Sequence, residues 1–162
     1  MSVRMVFGCW ENNLYKLSSR DLATGLGYAG LIPFITLSVS CWLVPAPFLE
    51  LMQDGFIYYA LGIVCFLAGT VWGSAASLPV SERPTRLLSS NCLTVFSVCC
   101  VWIADHAIAS LCLMLSYALS VCLEFTRGFS DGWYMRLRAR LTVGVLISHA
   151  IFLGSLSYRS AL

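Results

Sequence analysis

A chain of 162 residues with 59% hydrophobic and 11% charged side chains and a mean hydropathy of +0.80 lies outside the range of soluble domains, in which about a quarter of residues are charged. Ten bases against eight acids leave a net charge of only +2, and no nucleic-acid partner is predicted. At this length, several membrane spans with short connections leave room for one domain.

Residues 1–20 precede the apolar part of the chain. Val6, Phe7, Trp10, Leu14 and Leu17 share a face at helical spacing, which predicts an interfacial amino-terminal segment. The apolar core and small-residue cleavage site of a secretory signal are missing, and Glu11 interrupts the bases of a mitochondrial presequence. Residues 21–162 form the predicted single transmembrane helical domain.

Five charge-free runs follow: Leu22 to Leu49, Gly55 to Ser81, Leu87 to Ala104, His106 to Leu123, and Leu141 to Tyr158. A spanning helix needs about 20 mostly apolar residues. The runs therefore predict an all-α integral membrane protein, a bundle of about five transmembrane helices. The first run contains Gly25-Leu26-Gly27-Tyr28-Ala29-Gly30. Its Gly-x-Gly-x-x-Gly spacing marks a nucleotide site only between a strand and a helix of a soluble βαβ unit. Within a span, such glycines let helix backbones approach closely, or line a ligand crevice. Pro33 frees the carbonyl of Ala29 from its usual bond and predicts a kink. The second run repeats the small-residue theme at Gly69 and Gly73, beside Trp72, and predicts a close helix contact there. An unbroken helix from Leu87 to Leu123 would be about 55 Å long, against a hydrocarbon core of about 30 Å. A tight hairpin at Asp105 and His106 resolves the excess. Glu124 closes the fourth run beside Arg127, Arg136, Arg138 and Arg140, which predicts a local ion pair.

Nine bases, Arg4, Lys16, Arg20, Arg83, Arg86, Arg127, Arg136, Arg138 and Arg140, fall on one side of this arrangement, and Arg159 alone falls on the other. Positive residues favour the cytoplasmic or matrix side, which predicts an amino terminus inside and a carboxyl terminus outside. Aromatic residues at both ends of the runs agree: Trp42, Tyr58, Tyr59, Trp102 and Tyr158 on one side, Tyr15, Trp72, Trp133 and Tyr134 on the other.

Ionisable residues within spans are the first place to look for chemistry, and His149 lies nearest mid-depth. It either handles protons or ties helices by a hydrogen bond. The eight cysteines show no Cys-x-x-Cys or zinc-ligand spacing and read as small hydrophobes. No metal site, cofactor or catalytic set is predicted. Trp133, Tyr134, Arg136 and Arg138 form a basic, aromatic surface suited to anionic lipid headgroups or a partner subunit.

Gly27-Tyr28-Ala29-Gly30-Leu31-Ile32-Pro33-Phe34, then Tyr59 with Leu67-Ala68-Gly69-Thr70-Val71-Trp72-Gly73, then Trp133-Tyr134-Met135-Arg136-Leu137-Arg138 with Leu141-Thr142, resemble the signature blocks of the transmembrane protein 69 family, also catalogued as domain of unknown function 3429. The blocks recur in the same order over most of the chain. The third run departs, with Asn91-Cys92-Leu93 where the family tends to carry a Pro-containing segment before a Trp. The resemblance implies a small bacterial or mitochondrial inner-membrane protein with about five helices, and brings no established activity. It points to Gly30, Pro33, Phe34, Gly69, Trp72, Gly73, Trp133, Tyr134 and Arg138 as positions to test. The sequence thus leads to a non-catalytic accessory subunit or assembly factor of an inner-membrane, respiratory-type complex, contacting lipids and other integral subunits. The alternatives are a small-solute or proton-linked transporter and a lipid- or quinone-modifying enzyme.

Overall fold

The computed structural model describes residues 19–125 and 132–161, and every regular element among them is helical. In chain order these are α1 (Ser19–Ala29), α2 (Leu31–Leu43), α3 (Ala46–Ser74) with a short 3₁₀ turn at Ala75–Ser77, α4 (Arg83–Ile103), α5 (His106–Phe125) and α6 (Gly132–Ser160). Five helical segments are long and apolar enough to cross a membrane, α1 and α2 together making the first. The interfacial segment expected before Ser19, with its bases, and Arg127 lie outside the described residues.

The break between α1 and α2 follows from two residues. Pro33 has no N–H to offer the Ala29 carbonyl, and the helix is interrupted at Gly30, one turn earlier. The Tyr59 hydroxyl donates to the Gly30 carbonyl at 2.9 Å, so the kink is tied to α3. The hairpin at Asp105 also forms. Helix α4 ends at Ile103, Ala104 is extended, and Asp105 Oδ1 accepts from the Ile108 N–H at 2.9 Å, capping α5.

Two boundaries differ from the sequence reading. The sequence alone makes Pro45 to Asp54, with Glu50 and Asp54, the connection between the first two spans, yet Pro45 precedes Ala46 as an extended residue and α3 begins at once. Pro at the first turn is compatible with a helix start, and Glu50 and Asp54 are carried on the helix end. The 29 residues of α3 rise about 44 Å at about 1.5 Å per residue, beyond a hydrocarbon core of about 30 Å. Likewise α6 begins at Gly132, so Arg136, Arg138 and Arg140 are helical.

Helices α2, α3, α5 and α6 form a ring in which each packs against the next. Helix α4 lies outside it, against α3 and α5, while α1 leans on α6. Each ring helix sends an aromatic or imidazole side chain to the centre: Phe34 from α2, Phe56 from α3, Tyr117 from α5, and His149 with Phe152 from α6. Phe56 stacks on Phe152 at 4.3 Å and meets His149 edge-on at 4.8 Å. Phe34 touches Phe56, Tyr59 and Tyr117 edge-on.

Elsewhere small polar side chains share the inward faces with aliphatic ones such as Val64, Leu93 and Leu113. Ser90 donates to the Ala68 carbonyl (2.7 Å), tying α4 to α3, Ser97 meets Ser116 (2.8 Å), tying α4 to α5, and Tyr117 donates to the Ala60 carbonyl (2.8 Å), tying α5 to α3. Without a hydrophobic force between helices in lipid, small side chains that allow close packing and hydrogen bonds that cross between helices carry association.

Arginines finish the helix ends. Arg159 Nε and Nη2 donate to the carbonyls of Cys41, Trp42 and Val44 at 2.7 to 3.2 Å, satisfying the last turn of α2. Arg86 is buried and donates to the Leu123 carbonyl near the end of α5 (2.6 Å) and to Ser74 Oγ (3.2 Å). A base near a helix C-terminus also complements the negative end of its dipole.

Candidate functional site

Three polar places stand out in the bundle. The first is the centre, where His149 is fully buried and its Nδ1 lies 2.7 Å from Ser110 Oγ. Phe34, Phe56 and Tyr117 surround the ring, and Nε2 has no hydrogen-bond partner among the described residues. The edge-to-face approach to Phe56 sets the positive edge of one ring against the negative face of the other. Of the two roles expected for His149, this geometry fits the interhelical tie, because the imidazole bonds α6 to Ser110 on α5 and is otherwise surrounded by aromatic rings among the described residues.

The second place is the arginine-rich end. Arg138 on α6 reaches Glu124 on α5 through two parallel bonds, Nε to Oε2 and Nη2 to Oε1, each 2.9 Å. The ion pair expected for Glu124 therefore forms, but not at a surface. Glu124 is 8% exposed and Arg138 7%. Arg138, expected among the inner-face lipid or partner contacts, is turned inward onto Glu124, because α6 already runs through this position, and it meets the outside only along the crevice it lines. Arg136 is exposed, as expected. Trp133 is half-buried, with the Arg20 guanidinium 5.4 Å above its ring and Tyr134 edge-on at 5.9 Å.

Beside this ion pair lies a crevice of about 390 Å³ between α1, α2, α3, α5 and α6. Gly27 and Gly30 form part of its wall, together with Phe34, Tyr134, Arg138 and Thr142. Gly27 also makes close contact: a Cβ there would stand 2.7 Å from Leu141 Cδ1. Both alternatives for the glycine-rich stretch are thus present, helix packing at Gly27 and a crevice wall at Gly27 and Gly30.

Gly69 and Gly73 behave differently. Both are exposed on α3, and a Cβ at either would meet nothing within 4 Å. Among the described residues they line no helix contact, and Trp72 faces outward beside them. The close contact expected there is not made to any of the described helices. Besides Gly27, close neighbours are admitted at Gly144, with Leu31 Cδ1 3.0 Å from the Cβ position, and at Gly154, with Trp42 at 3.2 Å. Spacing within one helix could not reveal them, since the neighbour that makes a glycine useful is on another helix.

The third place is the opposite end, where Asp54 Oδ1 on α3 meets His106 Nε2 on α5 at 2.8 Å. His106 and His149 thus have separate polar partners, one on α3 and one on α5. Among the described residues no three His, Cys, Asp or Glu side chains gather as a metal site, and none of the described cysteines is in a disulfide.

The inward serines and Arg86 escaped the sequence reading. Their signal was present, with Arg86, Ser90, Leu93 and Ser97 on one face of α4, and Ser110, Leu113, Tyr117, Ser120 and Glu124 on one face of α5. In a membrane bundle, a stripe of small polar residues at helical spacing marks the buried face better than a stripe of large apolar ones.

A family model described as Protein of unknown function (DUF3429) matches residues 19–154, and the chain belongs to that family. No curated protein and no solved structure matches it.

Proposed function

We propose that this member of the DUF3429 family is a non-catalytic polytopic subunit or assembly factor, which works by holding other integral membrane subunits and not by turning over a substrate. The observation that carries this reading is the destination of the polar side chains inside the spans. Ser90, Ser97, Ser116, Tyr117, Ser110 with His149, and Glu124 with Arg138 all end on a neighbouring helix of the same bundle. Groups engaged in fixing one helix against another support a scaffold. Catalysis needs such groups converging on a reacting atom.

The proposal puts the protein in the mitochondrial inner membrane, with the bacterial inner membrane as the alternative. Its amino terminus faces the matrix or cytoplasm, because nine of ten bases lie toward that end. Purification in mild detergent tests the role. A partner recovered in fixed stoichiometry supports it, and Gly69→Leu with Gly73→Leu should then weaken partner recovery while leaving the isolated chain folded. Substrate-dependent flux through the protein alone in vesicles would replace it with the second reading, a small-solute or proton-linked carrier. That reading draws on the interruption of the first span at Gly30 and Pro33 beside a crevice.

A further inference from the structure

The crevice beside Arg138 has the dimensions and chemistry of a lipid site. Its wall runs along α6 from Tyr134 to Val145. At about 1.5 Å per residue this is a rise of about 16 Å, near half of a hydrocarbon core of about 30 Å. The crevice runs from the arginine-rich end of the bundle to its aromatic centre. Its volume of about 390 Å³ lies within the range of small-molecule sites, about 300 to 1,000 Å³. The rim includes Leu26 on α1, 65% exposed, and Phe66 on α3, 67% exposed, so the crevice opens sideways between helices, toward the acyl chains of the bilayer.

The polar side of the wall is built of donors. Tyr134, Arg138 and Thr142 follow one another at four-residue spacing on α6, one above the next. Arg138 uses Nε and Nη2 on Glu124, and its Nη1 makes no hydrogen bond to the described residues. The Thr142 hydroxyl, on a residue only 8% exposed, likewise makes none, nor does that of Tyr134. A hydroxyl and a guanidinium N–H that bond to none of the described residues, both lining one crevice, leave two donors open to an acceptor from outside the chain. Glu124 already neutralises Arg138. The match is to an ester carbonyl at the level of Arg138 and Thr142, with the apolar chain beyond it against Leu31, Phe34 and Val145.

We propose that this crevice binds one acyl chain of a glycerophospholipid from the arginine-rich leaflet, its ester carbonyl accepting hydrogen bonds from Arg138 Nη1 and Thr142 Oγ1. The inference goes beyond the accessory role, and its test does not depend on finding a protein partner. The purified full chain is reconstituted in phosphatidylcholine vesicles doped with a phosphatidylglycerol that carries a diazirine midway along one acyl chain. After irradiation, adducts are mapped by peptide mass spectrometry. Adducts are expected to concentrate on the crevice segments around Leu31 and Val145, above those on the outward face of α4 around Val95. Thr142→Val keeps the shape and removes one donor, and should lower crevice labelling by roughly two- to tenfold, the size of one net hydrogen bond. Val145→Phe fills the deep end and should lower it further, with labelling at Val95 unchanged and the size-exclusion profile confirming the fold. Labelling that is uniform over the outward faces, or indifferent to both substitutions, overturns the proposal. Displacement of the phospholipid label by a long-chain quinone at equal concentration also overturns it, in favour of a different carbonyl-bearing occupant.

Discussion

The seam between the first span and α6 and the outward face of α3 are both written with glycine, and they do opposite things. At the seam, Gly27 receives Leu141 and Gly144 receives Leu31, each glycine admitting a leucine from the other helix. On α3, Gly69 and Gly73 have the four-residue spacing usually associated with close packing, yet no other helix among the described residues comes within 4 Å of where their side chains would begin. A glycine is a packing residue only when a large side chain opposite is placed to use the space. The four-residue spacing shows that two glycines share a helix face and is silent on what that face meets.

The largest effect should separate inward from outward bases. Arg138→Gln leaves Glu124 buried without its partner and is expected to destabilise the fold by about 3 to 5 kcal/mol, whereas Arg136→Gln on the exposed side should change it by less than about 0.5 kcal/mol. Thermal unfolding in detergent, followed by tryptophan fluorescence, measures both. Equal losses would mean that α6 presents a different face from the one described.

The glycine contrast itself should give a smaller difference. Gly144→Leu must displace Leu31 and is expected to cost about 1 to 3 kcal/mol, the range of overpacked cores. Gly69→Leu and Gly73→Leu should leave the isolated chain unchanged or raise its stability by up to about 1 kcal/mol each, because glycine is a poor residue for a helix interior. A loss at Gly69 or Gly73 in the isolated chain would mean that copies of the protein pack through α3.

These contrasts also show what the sequence could and could not reveal. The spans were legible because exclusion of charge from a bilayer acts on every residue of a run, so the five segments, the break near Pro33 and the hairpin at Asp105 could all be read. Helix starts were less legible where acids or bases lie on a helix that projects past the apolar layer, as Glu50 on α3 and Arg136 on α6 do. Arg138 and Arg86 counted as signals of sidedness and turned out to hold helices as well, since a base at a span's end can serve both purposes. The crevice was half visible, in the Gly27 and Gly30 wall. Its donors on α6 were not, because their convergence with α1 depends on which faces of two distant segments meet.

The central imidazole offers a finer test of inward packing. Asn places its amide near Nδ1 of histidine and Gln near Nε2, and it is Nδ1 that meets Ser110. His149→Asn should therefore retain the tie to α5 and cost less than His149→Gln, the difference being about 1 kcal/mol, one net hydrogen bond. Complex recovery should remain near normal in both. A His149→Gln protein that folds normally and loses a pH-dependent flux would overturn the scaffold reading and promote the carrier.

The smallest expected effect on stability accompanies the test of how the two ends of the bundle face the membrane. Five crossings require the connection between α3 and α4 and the connection between α2 and α3 to lie on opposite sides. Val80, in the first of these, is exposed at the arginine-rich end, and Phe48, just after the second, is exposed at the other. Val80→Cys and Phe48→Cys, in a background with the native cysteines replaced by serine or alanine, should each leave unfolding within about 0.5 kcal/mol of the parent. A membrane-impermeant maleimide should label Phe48→Cys from the outside of intact cells or organelles and Val80→Cys only after permeabilisation, because the arginine-rich end is expected on the cytoplasmic or matrix side. Labelling of both from one side would remove the five-span arrangement. The reverse pattern would keep the five spans and invert the bundle, leaving Arg86 and Arg138 with their structural roles but without a part in setting orientation.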